Sequence, residues 1–137
     1  MLANEIMDTS FMNSISKHLE YEKRINSPWL RVYPDVGNLS AWGNDVAAEL
    51  QKGLPSIVQV HLKDTLAVTE DFPGKFRDVA FGAGCVDFER CFEVLERGGY
   101  CGAYLIEMWH DKSRPDVESV AGAKRFIEER FKTALGI

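Results

Sequence analysis

The strongest constraint on the fold is a strand-like apolar run followed by a helix-like stretch, a pattern that occurs four times along the 137-residue chain. The runs are rich in Ile, Val, Leu and Tyr and are continuous rather than alternating, which is typical of strands buried on both faces of a parallel sheet. The predicted strands are residues 3–7, 30–33, 57–62 and 103–108. Four βα units predict an α/β domain with a parallel sheet.

Capping and breaking residues predict where the helices lie. The predicted helices are 8–22, capped by Asp8-Thr9-Ser10, a second from Asn44 or Asp45 to Gly53, a third capped by Asp87 and ended by Gly98-Gly99, and 117–135. His18 is predicted to be a solvated helix residue. Residues 66–81 lengthen the third unit beyond the usual βαβ spacing of roughly 30 residues, so they are interpreted as an active-site loop.

Four βα units are compatible with two architectures. One is an open doubly wound sheet, and the other is half of an eight-stranded (β/α)8 barrel, which needs about 250 residues when whole. A half-barrel leaves two unpaired strand edges that recruit partners, and two copies could close one ring. Residues 1–137 are therefore interpreted as a single half-barrel domain that forms a homodimer or a higher homo-oligomer.

A polar residue lies at the end of each predicted strand: Glu5, Asp35, His61 and Glu107. Because the carboxyl ends of parallel strands meet at one rim, these side chains are expected to lie together. Taken singly, each has an ordinary structural role, such as a turn, a cap or a core histidine. A carboxylate inside an apolar strand is costly without a partner, however, and the four together indicate a metal site.

The ligand types indicate the metal. Three oxygen donors and one imidazole favour Mn²⁺, with Mg²⁺, Co²⁺ and Zn²⁺ as alternatives. Such an ion can chelate a ketose and stabilise an enediolate, while a carboxylate on each side of the carbon moves the proton. The set therefore suits isomerisation or epimerisation next to a carbonyl.

Three further residues are candidates for substrate binding. Asn38, three positions after Asp35, could hydrogen-bond substrate or form a turn. Lys63 and Arg77 lie on or beside the loop after the third strand, where barrel enzymes often bind phosphate. We expect them to contact a phosphorylated substrate.

Composition excludes several classes of protein. The net charge of −5 and the scattered Lys and Arg argue against a nucleic-acid partner. No apolar run approaches the roughly 18–20 residues of a membrane span. Cys85, Cys91 and Cys101 have no CxxC spacing and are interpreted as free thiols, so we expect a cytoplasmic protein.

Five segments also resemble a known enzyme family: EIMDTSFMNS, YPDVGNLSAW, VHLKDT, VDFERCFEVLERGGYCG and YLIEMW. They are similar to the C-terminal half of the L-ribulose/L-xylulose 5-phosphate 3-epimerases, also named hexulose-6-phosphate isomerases, of the xylose isomerase-like barrel superfamily. The resemblance implies a (β/α)8 barrel with a divalent metal on Glu5, Asp35, His61 and Glu107. It implies acid–base roles for Glu5 and Glu107, a place near the substrate for Asn38, and ketopentose phosphate substrates in L-ascorbate and pentose catabolism.

The chain departs from the family in two ways. A family segment resembling FGEG is FGAG here, so Ala83 lacks a carboxylate, and only strands five to eight of the barrel are represented. The leading interpretation is an epimerase half-barrel that needs self-association or a separate half. The alternative is an inert fragment that folds as an oligomer and still binds metal. A phosphate- or nucleotide-binding open sheet is disfavoured because neither GxGxxG nor GxxxxGK[ST] is present.

Overall fold

The computed structural model describes residues 1–110 and 115–137 and confirms the predicted α/β class. Its elements are β1 (Leu2–Glu5), α1 (Ile15–Ile25), β2 (Leu30–Tyr33), α2 (Val36–Ala41), α3 (Val46–Gly53), β3 (Gln59–Leu62), α4 (Phe88–Arg97), β4 (Ala103–Ile106) and α5 (Asp116–Leu135). A 3₁₀ turn, Ser10–Met12, precedes α1. The predicted strands all occur, although three of them are shorter than expected.

The strands run parallel and follow one another in chain order. β1 pairs with β2, with Leu2 opposite Leu30, and β3 pairs with β4, with Gln59 opposite Ala103. Isolated parallel bridges, Val32 to Ile57 and Asp35 to His61, join β2 to β3. The order is therefore β1-β2-β3-β4, with all four carboxyl ends on one rim.

The start of the first helix corrects a sequence prediction. The side chain of Ser14 accepts a hydrogen bond from the Lys17 amide, so α1 begins at Ile15 rather than directly after Asp8. Asp35, which follows β2, also caps the short helix α2, because its side chain accepts a hydrogen bond from the Asn38 amide. Asp45 and Asp87 cap α3 and α4, as predicted.

The helices cover one face of the strands and form the core with it. Alternate β4 residues show this: Tyr104 and Ile106 pack against the core, while Leu105 between them is 40% exposed. The fully buried core side chains include Ile6, Ile15, Val32, Val36, Leu39, Leu50, Val60, Leu62, Phe92 and Leu95. On the other face, Ala3 of β1 and Leu105 of β4 are exposed, whereas His61 of β3 is buried.

Both outer strands have a free edge in the part of the chain that the structure describes. β1 pairs only with β2, and β4 pairs only with β3. The end of β1 exposes a large apolar side chain, Leu2, which is 76% accessible. Among the described residues, no helix is long and apolar enough to cross a membrane.

Candidate metal centre

The four polar residues predicted at the strand ends come together. Glu5 ends β1, Asp35 follows β2, His61 lies in β3, and Glu107 follows β4. One ligand atom from each of these side chains lies within 4.8 Å of those from the other three. The parallel order of the strands produces this cluster, since it carries all four carboxyl ends to one rim.

The imidazole of His61 lies at the middle of the cluster. Its Nδ1 atom is 2.9 Å from Oε2 of Glu107, 3.1 Å from Oε1 of Glu5 and 3.9 Å from Oδ2 of Asp35. Its Nε2 atom is buried and has no hydrogen-bond partner among residues 1–110 and 115–137. The edge of the ring that carries Nδ1 therefore faces three carboxylates.

Asp35 is the most buried of the carboxylates. Its Oδ1 atom accepts a hydrogen bond of 2.8 Å from the Asn38 amide, and its Oδ2 atom lies 3.1 Å from Nζ of Lys63. Burial raises the pKa of Asp35 to about 7, against the opposing effects of Lys63 and the Asn38 amide. The neighbouring charge of Glu107 adds to that rise in pKa. A further cation would favour the ionised carboxylate.

The pKa of Glu5 is shifted in the opposite direction from that of Asp35. Its hydrogen bond from His61 lowers the pKa of Glu5, and the charges of His61 and Lys63 lower it further, while partial burial opposes them. Two carboxylates of one centre thus have pKa values shifted in opposite directions. Glu5 is ionised under conditions in which Asp35 is partly protonated.

Lys63 is placed at the centre itself rather than out on a loop. Its ammonium lies 3.1 Å from Oδ2 of Asp35 and 3.5 Å from Oε1 of Glu107, and 5.4 Å from the ring centroid of Trp109. Gly37 permits this approach, because a Cβ there would lie 2.7 Å from Cγ of Lys63. Lys63 is therefore the cation that faces the carboxylates directly.

The other two predicted substrate residues lie farther out. The Asn38 side chain donates 2.8 Å to the carbonyl of Ile6, and its buried Oδ1 has no hydrogen-bond partner among the described residues. Arg77 is 64% exposed, lies 3.6 Å from Oδ2 of Asp8, and stands 5.6 Å from the Trp109 ring centroid. Asn38 thus lies against Asp35, and Arg77 lies at the mouth of the site.

Two residues near the centre were not among the predicted site residues. Trp109 contacts both Lys63 and Arg77, and its position two residues after Glu107 was the available signal. Asp64 is 2% exposed and directly follows Lys63, and its carboxylate faces backbone amides. Nothing in the local sequence distinguishes such an acid from an ordinary turn residue.

The donor set fits a divalent cation. Three carboxylates and one imidazole converge, while one ammonium, that of Lys63, is their cationic partner among the described residues. The raised pKa of Asp35 reflects a carboxylate whose negative charge is incompletely compensated in its buried position. Oxygen-rich sites with a single imidazole are typical of Mn²⁺, Mg²⁺ and related ions.

Two curated relatives match almost the whole of this chain. The SgbU protein of Escherichia coli strain K12 is 56% identical over 134 residues, covering 98% of this chain and 47% of that protein. The L-ribulose-5-phosphate 3-epimerase UlaE of Salmonella typhimurium is 53% identical over 133 residues, covering 97% of this chain and 45% of that protein. The chain thus spans about half the length of these relatives.

Solved structures share the fold. A crystallised L-ribulose 3-epimerase superposes with a TM-score of 0.77 at 17% identity, covering 98% of this chain and 48% of the other. The family model described as the xylose isomerase-like TIM barrel matches residues 1–130. The four βα units therefore correspond to about half of a barrel, and the chain belongs to the xylose isomerase-like TIM barrel family.

Proposed function

We propose that this chain supplies strands five to eight, and the metal and acid–base residues, of an epimerase that inverts carbon three of an L-ketopentose 5-phosphate. The observation that carries the proposal is the convergence of Glu5, Asp35, His61 and Glu107 within 4.8 Å on the carboxyl rim of a parallel sheet. Active sites of (β/α)8 barrels are built at this rim. The similarity to UlaE supports the substrate class.

The same four side chains would hold the metal, with Mn²⁺ favoured. When bound, a divalent ion supplies a Lewis acid that polarises the carbonyl next to the carbon to be inverted. The protein's own part is proton transfer. Glu5 and Glu107 come from the two outer strands, β1 and β4, and approach Nδ1 of His61 from separate positions, so one can remove the proton and the other return it.

Binding of the substrate is assigned to three residues. The buried Oδ1 atom of Asn38 has no hydrogen-bond partner among the described residues, so it can accept a hydrogen bond from the substrate. Lys63 keeps a positive charge beside the carboxylates, and Arg77 presents an exposed guanidinium at the mouth of the site. A guanidinium matches the geometry of a phosphate, so Arg77 is the proposed contact to the 5-phosphate.

The proposal includes a partner that completes the barrel. Eight strands close a barrel of this family, whereas the structure describes four, with free edges on β1 and β4. A second copy could place its β1 beside this chain's β4 and its β4 beside this chain's β1. A separate half-barrel could do the same, and either would wall the open side of the site.

A second candidate function is supported by the coverage of the relatives. Because the chain spans about half of each of them, it could bind metal without turning over a sugar phosphate. Both candidates share the metal centre. They differ in whether the chain, alone or completed by a half-barrel, exchanges the carbon-three proton with solvent.

Two measurements test these proposals. Mn²⁺ binding should be at least tenfold weaker in His61→Ala than in the wild type, whereas His110→Ala, which removes an exposed imidazole, should bind normally. Equal affinity in all three proteins would refute the metal centre. L-ribulose 5-phosphate in deuterated water should gain deuterium at carbon three, and Glu5→Gln and Glu107→Gln should abolish the gain.

The outcome in deuterated water separates the two functions. The inert fragment would be favoured if the chain binds metal but the substrate gains no deuterium. This result must hold both for the chain alone and for the chain mixed with the N-terminal half of a relative. Label that persists in both glutamine variants would contradict the acid–base assignment. Label at another carbon would contradict 3-epimerisation.

A further inference from the structure

The carboxylate of Asp64 is held by a ring of backbone amides. Oδ1 accepts from the amides of Thr65 at 2.9 Å and Val86 at 3.3 Å, and Oδ2 accepts from those of Gly82 and Gly84, each at 2.9 Å. The residue is 2% exposed, and no Lys, Arg or His forms an ion pair with it among residues 1–110 and 115–137. A buried carboxylate without a cation is stable only with such donors.

Three of these amides, those of Gly82, Gly84 and Val86, belong to the end of a long loop, residues 66–86, which we call the rim loop. The chain leaves β3 after Leu62, and the rim loop returns to the Asp64 carboxylate at Gly82, before α4 begins at Phe88. Gly82 has a φ of +86°, which favours glycine, and a Cβ at Gly84 would overlap the Asp64 carboxylate. The two glycines therefore let the returning chain wrap closely around Asp64.

Thr65 fixes the base of the rim loop to the neighbouring unit. Its carbonyl accepts from the Cys85 amide at 2.8 Å, and its hydroxyl donates to the carbonyl of Gly37 at 2.9 Å. Gly37 lies two residues after Asp35. The base of the loop is thus joined to the segment that carries one of the candidate metal ligands.

The far part of the rim loop reaches across the rim. Its Arg77 lies near Asp8, which follows β1, and over Trp109, which follows β4. These are the two outer strands of the sheet. On one side, Arg77 comes two residues after Lys75, which pairs with Leu66 through two backbone hydrogen bonds. On the other side, four residues lie between Arg77 and Gly82, so the position of the guanidinium also depends on where the returning chain is held.

We propose that Asp64 is a positioning residue: by binding the amides of Gly82, Gly84 and Val86, it fixes the rim loop and so holds Arg77 against Trp109 at the mouth of the site. What Arg77 then binds, the substrate phosphate, rests on the proposed function. The positioning itself does not, because it depends only on contacts within the chain.

The substitution Asp64→Asn removes this arrangement with little change in shape. An amide offers one acceptor oxygen, and its NH₂ group would face backbone N–H donors in place of the second oxygen. Asp71→Asn is the matched control, since Asp71 is an exposed acid on the same loop. Gly84→Ala is a second test, because its Cβ would displace the same carboxylate.

Amide hydrogen exchange tests the clamp. In the wild type, the amides of Gly82, Gly84 and Val86 should be protected. In Asp64→Asn and Gly84→Ala, exchange across residues 76–86 should be at least tenfold faster, while α1, α3 and the paired amides of Leu66 and Lys75 keep their wild-type rates. Fast exchange of the three amides in the wild type would overturn the proposal without any variant, and so would wild-type rates in folded Asp64→Asn.

A double-mutant cycle tests the positioning of Arg77. Arg77→Gln should move the indole N–H resonance of Trp109, assigned with Trp109→Phe, when Asp64 is present. In the Asp64→Asn background, the same change should leave that resonance where it is. If Arg77→Gln shifts the resonance equally in both backgrounds, Asp64 does not position Arg77. A purely stabilising role of Asp64 predicts such equal shifts. This failure would leave the metal centre and the epimerase proposal intact.

Discussion

Nδ1 of His61 lies 2.9 Å from Oε2 of Glu107 and is also 3.1 Å from Oε1 of Glu5. A ring nitrogen carries at most one proton, so it cannot donate fully to both carboxylates at once. Oε2 of Glu107 is buried and has no well-aligned hydrogen bond to a described residue. Oε2 of Glu107 is thus an incompletely satisfied acceptor among the described residues, and a cation would satisfy it.

Mn²⁺ should therefore stabilise the folded chain. A ligand at a hundredfold excess over its Kd adds about 2.7 kcal/mol to the free energy of unfolding. Glu107→Gln should lose most of this gain, because the amide oxygen carries no negative charge and binds a hard cation more weakly than a carboxylate does. Thermal unfolding with Mn²⁺ and with a chelator measures the gain. The control is Glu70→Gln at an exposed position, and an equal gain in Glu107→Gln would contradict a role for Glu107.

Asp35 should make the stability of the metal-free chain depend on pH. Its pKa is about 7 in the folded chain and 3.8 ordinarily, so the folded state binds more protons between these values. The contribution of Asp35 to the free energy of unfolding must then fall as the pH rises from about 4 to 7, by up to about 1.4 kcal/mol per pH unit. Asp35→Asn, which cannot ionise, should gain stability relative to the wild type over this range.

Asp45→Asn is the matched control for that experiment. Asp45 also caps a helix, but it is exposed. Denaturant unfolding at several pH values, with chelator present, gives the difference between each variant and the wild type. A difference for Asp35→Asn that does not change between pH 4 and 7 would contradict the raised pKa.

Much of the site could be predicted from the sequence because it follows from strand order. Parallel strands carry their ends to one rim, so Glu5 and Glu107 could be assigned to one cluster across a hundred residues of chain. The contacts of Lys63 and His18 could not. Lys63 was expected at a phosphate but contacts Asp35, and His18 was expected in solvent but is fully buried. The partners of Lys63, and Asn4 as one of the two partners of His18, lie on other segments, which local sequence patterns do not encode.

The helix ends show a similar division. Asp87 was predicted correctly as a cap because an apolar helical face follows it directly. At the first helix, Asp8-Thr9-Ser10 and Ser14 are all suitable caps, and the turn closed by the Met7 amide and the Met12 carbonyl selects the later one. Capping preference alone does not distinguish such candidates.

His18 should destabilise the chain in acid. Burial lowers the pKa of His18 from its ordinary 6.5, while Glu22 partly opposes this effect. The unfolded state then binds more protons, so the stability contributed by neutral His18 is present above pH 6.5 and is lost as the pH falls below it. Asn4 and Glu22 contact the two ring nitrogens, and a proton on Nδ1 would break the contact with Asn4.

The test again compares the free energy of unfolding of each variant with that of the wild type. The comparison is needed because the titration of Asp35 changes the stability in the opposite direction over the same pH range. His18→Gln should gain stability relative to the wild type as the pH falls from 7 to 5. His110→Gln, which changes a mostly exposed ring, should show little change. If His18→Gln and the wild type lose stability in parallel, His18 is not the titrating group.

The last prediction concerns self-association. The amides of Leu2 and Ile6 donate hydrogen bonds to the carbonyls of Trp29 and Tyr33, on the β2 side. Because successive amides of a strand point to opposite edges, the amide of Ala3 points to the free edge of β1. On β4, Leu105 exposes 40% of its surface on the face opposite the helices. Free edges and exposed apolar residues recruit further strands, and two-fold pairing is the commonest solution. We expect a dimer of about twice the 15.5 kDa chain mass at micromolar concentration.

Ala3→Pro would remove the outward amide and leave the bonds to β2 in place, so it should shift the dimer toward monomer. Ala3→Val keeps the amide and should remain dimeric. Sedimentation velocity across the micromolar range measures both, with circular dichroism to confirm folding. A compact wild-type monomer at every concentration would show that the free edges of β1 and β4 are tolerated in water. A dimer unaffected by Ala3→Pro would place the interface away from β1, and the two metal centres would then not share one barrel.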